Sequence, residues 1–156
     1  MSLTEKDSQY LWHPYTQHKT ASAPIAITKG KGALLWDEND KEYIDAIASW
    51  WVNPYGHSNS FIAEAIYKQL TTLEHVLFGG FTHEPAVVLA EKLMAILPKN
   101  QQKLFFSDNG STAVEIAIKV ALQYFFNKGE KKTTIIAFEN AFHGDTFAAM
   151  AASGIS

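Results

Sequence analysis

Lys103-Leu104-Phe105-Phe106-Ser107, followed by Asp108-Asn109-Gly110 and by Ser111 through Asn127 up to Gly129, is the stretch on which the fold turns. A short apolar run, a polar turn with glycine and a long periodic segment read as strand, turn and helix. Thr112 and Glu115 have the spacing of a capping box at the helix start. Val114, Ile116, Ile118, Val120, Leu122 and Phe125 leave the helix apolar nearly all round, which predicts burial between layers. Residues 133–138 (TTIIAF) read as a second buried strand, and a turn over residues 140–144 leads into a helix beginning near Asp145. Strand, helix, strand implies an α/β layer with parallel strands. Two parallel strands do not complete a doubly wound sheet, so the sheet calls for partners that this chain does not hold, and the expectation is a fragment.

Working back towards the N-terminus, residues 84–97 read as a helix with Thr82 as N-cap, Pro85 in the first turn and Pro98 as the stop. Before it, Phe61, Ile62, Ala65, Ile66, Leu70 and Leu73 share one helical face, with Asn59 or Ser60 placed to cap. Residues 25–28, 33–37 and 41–45 read as short strands joined by turns at residues 29–32 and 38–40, a small β meander. The first fifteen residues are polar and aromatic, and an irregular stretch follows them through Pro24.

Composition narrows the function. The chain has 156 residues, 47% hydrophobic and 19% charged, as in soluble globular proteins. Thirteen basic residues against sixteen acidic ones give a net charge of -3, which offers no footprint for nucleic acid or an anionic membrane. Every basic residue is lysine, so no arginine is present to clamp a carboxylate or phosphate with two parallel hydrogen bonds. The absence of cysteine excludes disulfides and thiolate chemistry and suits a reducing, cytoplasmic location. The N-terminus has neither the basic nor the apolar region of a signal peptide, and no apolar run approaches a membrane span. The six histidines show no HExxH and no zinc spacing, so no metal is expected.

Three constellations can carry chemistry. The junction Ser107 to Thr112 joins the end of a strand to the start of a helix. Free backbone N–H groups, a close-approach glycine and hydroxyls there have the chemical type of a phosphate cradle, or of a plain helix cap. It matches neither a Walker A loop nor GxGxxG. Phe142-His143-Gly144-Asp145-Thr146 stands at the end of the next strand and offers an aromatic face for a planar ligand, or a core aromatic and a cap. The two junctions should converge if the strands are parallel. Trp12 to Tyr15, Ala48 to Trp51 and Pro54 to His57 supply aromatics either for a pocket or for packing. Lys128 to Lys132 reads as a solvated loop.

The segments W-H-P-Y-T (Trp12 to Thr16), A-S-W-W (Ala48 to Trp51), H-V-L-F-G-G-F-T-H (His75 to His83), D-N-G-S-T-A-V-E-I-A-I-K (Asp108 to Lys119) and F-H-G-D-T (Phe142 to Thr146), in this order, resemble the class III pyridoxal-phosphate aminotransferases. W-H-P-Y-T and the tandem tryptophans resemble in particular the adenosylmethionine-8-amino-7-oxononanoate aminotransferases of biotin biosynthesis. The resemblance implies an α/β fold type I homodimer. In it residues 1–50 contribute to the small domain, and residues 51–156 form the first, incomplete part of the large domain. It also implies pyridoxal 5'-phosphate as cofactor, and 8-amino-7-oxononanoate and S-adenosylmethionine as substrates. By the same resemblance Gly110 and Ser111 hold the cofactor phosphate and Phe142 stacks on its ring. Tyr15, counted as catalytic, lines the substrate pocket with Trp50 and Phe142, and Asp145 supports the site from behind. The family usually has Tyr at the Phe142 position. The lysine that carries the cofactor, the aspartate facing the pyridinium nitrogen and the arginine for the substrate carboxylate belong to later sequence, and Lys119 is not the catalytic lysine. The stretch alone is therefore expected to be inert. The alternatives are a class III aminotransferase for an ω-amino acid or diamine, and a non-catalytic α/β binding module.

Overall fold

The computed structural model describes residues 1–153. The chain forms two compact units, Met1–Phe81 and Thr82–Ser156.

The first unit opens with helix α1 (Leu3–Tyr10), which the polar opening did not lead us to expect. Its signal lies in Ser2 and Glu5: the Glu5 N–H donates to Ser2 Oγ at 3.1 Å, and the Ser2 N–H donates to Glu5 Oε2 at 2.7 Å. Two of the amides that a helix start leaves without acceptors are thereby satisfied. The meander forms as read from the sequence. Strands β1 (Ile27–Lys31), β2 (Leu34–Asp37) and β3 (Glu42–Ile44) pair antiparallel in that order. The first turn is tighter than expected, because Lys31 pairs directly with Leu34 and leaves only Gly32 and Ala33 between the strands, with Gly32 at φ +59. The second turn is held by Asp37, whose Oδ1 accepts the N–H groups of Asn39 and Lys41 at 2.8 and 3.0 Å while Oδ2 accepts the Tyr43 hydroxyl at 2.9 Å. After the meander come a single turn, α2 (Ala48–Trp51), and helix α3 (Ser60–Leu70), with Asn59 as its N-cap.

The second unit contains α4 (Glu84–Ile96), α5 (Gly110–Asn127) and α6 (Phe147–Ala152). Pro85 sits in the first turn of α4 as expected, but the cap position is His83 and not Thr82. Helix α5 starts one residue before the expected Ser111. Its capping box is Asn109 with Thr112 and not Thr112 with Glu115, for Asn109 Oδ1 accepts the Thr112 N–H at 2.9 Å and Thr112 Oγ1 accepts the Asn109 N–H at 3.1 Å. Glu115 is released for a tertiary role. Helix α6 begins at Phe147, with Thr146 as its N-cap.

Residues 103–107 and 133–138 form no β ladder among the described residues, contrary to the expected parallel pair. A strand exists by its inter-strand hydrogen bonds, and parallel strands are stable only within a larger sheet covered on both faces. The apolar side chains of such a sheet are present but uncovered: Ile136 is 95% exposed and Phe138 85%. Helix α5 likewise lacks its second layer, and none of its side chains is fully buried.

Surface area gives the scale of the deficit. The chain exposes 13666 Å² at a mass of 17.4 kDa. A compact monomer of that mass would expose about 7,900 Å², and two separate globules of half the mass about 9,500 Å² together. Among the described residues Ala149 is the one fully buried hydrophobic side chain. Exposed apolar surface on this scale drives association. The 156-residue chain expressed alone is therefore expected to enhance the fluorescence of an apolar dye strongly and to elute from size exclusion as oligomers. A dye-silent monomer would contradict the exposure described here.

Candidate functional site

In the second unit the start of α5 and the segment 142–146 are joined. The Ser111 hydroxyl donates to Thr146 Oγ1 at 2.9 Å and accepts the Thr146 N–H at 2.8 Å, so the two sequence junctions do converge. The joint is close enough to require glycine at 144: a Cβ there would collide with Ser111 Oγ, and the residue is at φ +122. From the second turn of α5 the Glu115 carboxylate reaches the same place. Its Oε2 accepts the Thr146 hydroxyl at 2.8 Å and the N–H groups of Ala148 and Ala149 at 2.9 and 3.3 Å. Glu115 thus caps α6 from another helix, supplying acceptors for amides that its first turn cannot satisfy internally. The Thr146 hydroxyl holds its carboxyl below the ordinary Glu range; burial pushes the other way, and the two α6 amides restore the lowering.

This arrangement fits a phosphate at the amides of Gly110 and Ser111. They are the first two of α5, have no intrahelical acceptor and lie at the positive end of the helix dipole. A Cβ built on Gly110 meets nothing within 4 Å, so no neighbouring group crowds the side-chain direction of Gly110 at this helix start. The third amide, on Thr112, is taken by Asn109. The Ser111 hydroxyl is committed to Thr146, which leaves its amide to face an anion. Phe142 presents a ring that is 69% exposed. His143 is anchored by its backbone N–H to the hydroxyl of the buried Ser153 at 3.0 Å.

In the first unit Tyr15 and Trp50 stack, with ring centroids 6.0 Å apart and planes 9° from parallel. Trp51 follows at 6.1 Å from Trp50, tilted by 49°. Both stacked rings stay largely open to solvent. Trp50 is carried by α2, whose residues Ala48 to Trp51 all have positive φ. Before this turn, Asp45 accepts the Ser49 N–H on Oδ1 at 2.9 Å, and on Oδ2 the Ser49 hydroxyl and His57 Nε2–H, each at 2.7 Å. The Ser49 amide and hydroxyl, then His57, lower the Asp45 carboxyl to about 2, against a smaller effect of burial. The sequence offered His57 only within the aromatic segment Pro54 to His57 and Asp45 only as the end of an expected strand; their pairing is not legible there, because a twelve-residue separation carries no local pattern.

Among the described residues no three His, Cys, Asp or Glu side chains gather as metal ligands, and no helix is long and apolar enough to cross a membrane.

The sequence profile of the family "Aminotransferase class-III" matches residues 15–156. The chain belongs to the class-III aminotransferase family. It is 53% identical, over 90% of its length, to the adenosylmethionine-8-amino-7-oxononanoate aminotransferase of Synechococcus elongatus, and 45% identical, over 98%, to that of Staphylococcus aureus. It covers 33% and 35% of those two proteins, so it spans about a third of the length of the curated relatives it matches. The crystal structure of the Methanocaldococcus jannaschii aminotransferase of the same name superposes with a TM-score of 0.91 at 42% identity, over 97% of this chain and 35% of the other. That of a Pseudomonas jessenii omega transaminase in complex with PMP gives 0.90 at 34% identity, over 99% and 35%. The α/β, fold type I architecture implied by the resemblance is therefore the architecture of this class-III aminotransferase chain.

Glu115 gives a test of the joint. Its carboxyl is depressed in the folded state, so its contribution is present above the ordinary Glu range and is lost as pH falls through the lowered value. Hydrogen exchange at the Ala148 and Ala149 amides is expected to keep its protection through mildly acid pH and lose it below the ordinary Glu range. In Glu115→Ala those amides should exchange fast at every pH. Unchanged protection in Glu115→Ala would show that α6 is held by other means.

Proposed function

We propose that this chain is the N-terminal part of a pyridoxal 5'-phosphate-dependent aminotransferase that converts 8-amino-7-oxononanoate to 7,8-diaminononanoate, with S-adenosylmethionine as amino donor, in biotin biosynthesis. The observation that carries the reading is the hydrogen-bonded joint of Ser111 with Thr146. It brings an anion-binding helix start and an aromatic segment together in a chain that shares 53% identity with a protein named for that reaction. The whole enzyme works as a cytoplasmic homodimer, with the catalytic lysine outside this chain. Residues 1–50 contribute to its small domain and residues 51–156 begin the large one.

Pyridoxal phosphate, when bound, supplies an electron-accepting ring that lets an amino group pass from donor to acceptor. This chain contributes binding and orientation. The amides of Gly110 and Ser111 hold the phosphate, with the α5 dipole adding attraction for negative charge. Phe142 offers its face to the ring, and Asp145 supports the segment from behind. Tyr15 and Trp50 form the wall against which substrate lies, and the Tyr15 hydroxyl is a polar group of that wall able both to donate and to accept, so it can orient a substrate amine or carboxylate by one hydrogen bond.

The structural likeness to an omega transaminase favours one second reading, an ω-amino acid or diamine as donor. Purified full-length protein, loaded with cofactor, separates the two readings. Formation of 7,8-diaminononanoate from S-adenosylmethionine and 8-amino-7-oxononanoate is expected; turnover with ω-amino donors and none with this pair would replace the first reading with the second.

Phe142 provides a finer test. An aromatic contact of this kind contributes about 0.5 to 1.5 kcal/mol beyond burial, or roughly two- to tenfold in affinity. Phe142→Ala is expected to weaken cofactor retention by that factor, and Phe142→Tyr to leave it unchanged while altering KM or kcat through the added hydroxyl. Equal retention in all three proteins would remove Phe142 from the cofactor site.

A further inference from the structure

The turn that carries Trp50 is one the backbone does not adopt unaided. Ala48, Ser49, Trp50 and Trp51 have φ values of 48, 47, 65 and 66, four consecutive non-glycine residues wound left-handed. In that region Cβ crowds the following carbonyl at every non-glycine residue, so the turn must be held from outside. The Asp45 carboxylate stands where such a hold would act. It takes both the amide and the hydroxyl of Ser49, the second residue of the turn, and with its other lone pairs the ring N–H of His57.

His57 is itself fixed to the meander. Its N–H donates to the Gly32 carbonyl at 2.8 Å and its carbonyl accepts the Gly32 N–H at 3.0 Å, making a bridge to the hairpin turn. The imidazole fits only because residue 30 has no side chain; a Cβ on Gly30 would lie 2.9 Å from the His57 Cβ. Asn53 Nδ2 approaches His57 Nδ1 at 3.5 Å, which leaves the proton on Nε2, the nitrogen facing Asp45. The chain of contact runs from the sheet through His57 and Asp45 to Ser49, and from there along one peptide to Trp50. Both side chains are sheltered, with that of Asp45 6% exposed and that of His57 16%.

We propose that Asp45 and His57 are positioning residues that set Trp50 against Tyr15 and so fix the orientation of the aromatic wall on which substrate specificity depends. The proposal rests on the reading of Trp50 as part of that wall. The side chains assigned to binding substrate are thereby separated from those that aim them: the wall is aromatic and open, and its aim is set by a sheltered carboxylate and imidazole.

The experiment uses the full-length, cofactor-loaded protein and two readouts. The near-ultraviolet circular dichroism of the Trp50–Tyr15 pair is assigned as the difference between the protein and Trp50→Phe. KM and kcat for the amino donor are measured beside it. In Asp45→Asn the pair's signal is expected to disappear and KM to rise about ten- to a hundredfold, with cofactor absorbance retained. His57→Gln and Ser49→Ala should move both readouts in the same direction by less, and they carry the test if Asp45→Asn fails to fold. An intact pair signal in folded Asp45→Asn, or in both milder variants, overturns the proposal. If the signal is lost while neither Asp45→Asn nor Trp50→Ala alters KM, the positioning role stands and the pocket reading of Trp50 fails.

Discussion

The Glu115 carboxylate belongs to α5 by sequence and to α6 by function, and much of the second unit depends on that division. One oxygen takes the Thr146 hydroxyl and two amides of α6, while one turn earlier Ser111 takes the Thr146 amide. With so little apolar surface buried, these charge-assisted bonds decide where the segment 142–146 lies. The pattern recurs in the first unit. Asp37, at the end of β2, closes the turn to β3, and Asp45, just past β3, holds the left-handed turn. Each carboxylate stands in or beside one regular element and accepts donors from the segment that follows it in the fold: Glu115 from the start of α6, Asp37 from the turn and from Tyr43 of β3, Asp45 from Ser49 and His57. For Asp37 burial opposes ionisation, yet the Asn39 amide, the Tyr43 hydroxyl and the Lys41 amide outweigh it, so all three carboxyls are lowered in the folded state. By linkage all three hold the structure best above the ordinary carboxylate range and release it on acidification.

Local features proved legible wherever the physics was local. The Asn59 cap of α3, Pro85 in the first turn of α4 and the meander follow from side-chain preferences that act over three or four residues. Errors arose where two local readings competed. Thr112 and Glu115 have capping-box spacing, but so do Asn109 and Thr112, and the second pair prevails because Gly110 belongs to the helix. Helix α1 was not expected in the polar, aromatic opening, although Ser2 and Glu5 carry the same kind of signal: a short helix with no buried side chain leaves only its cap as evidence in sequence.

The two parallel strands fail for a different reason. Residues 103–107 and 133–138 have the composition of buried strands, and composition alone does not supply the partners that a ladder needs. A ladder is a property of pairs, and this chain spans about a third of its relatives. The exposed Phe138 and Ile136 record the same fact from the side of packing: the segments are written for a core that this stretch of sequence does not fill.

The candidate site divides along similar lines. A helix start of the chemical type proposed to hold an anion is readable from Gly110 and Ser111, because it needs only a helix N-terminus and a small residue. What sequence could not show is that the Ser111 hydroxyl is already engaged, for its partner lies 35 residues away. Tyr15 and Trp50 are likewise 35 positions apart, and the motif that names them says nothing of a stack or of the strained turn that presents it. Side chains of the chemical type that contacts ligands can be picked out in sequence, whereas those that hold these segments together are ordinary Asp, Glu, His and Thr at arbitrary separations. A carboxylate reaching across the fold leaves no recognisable mark in sequence and fixes geometry to within a hydrogen bond, so the contacts of Glu115 and Asp45 are visible only in three dimensions.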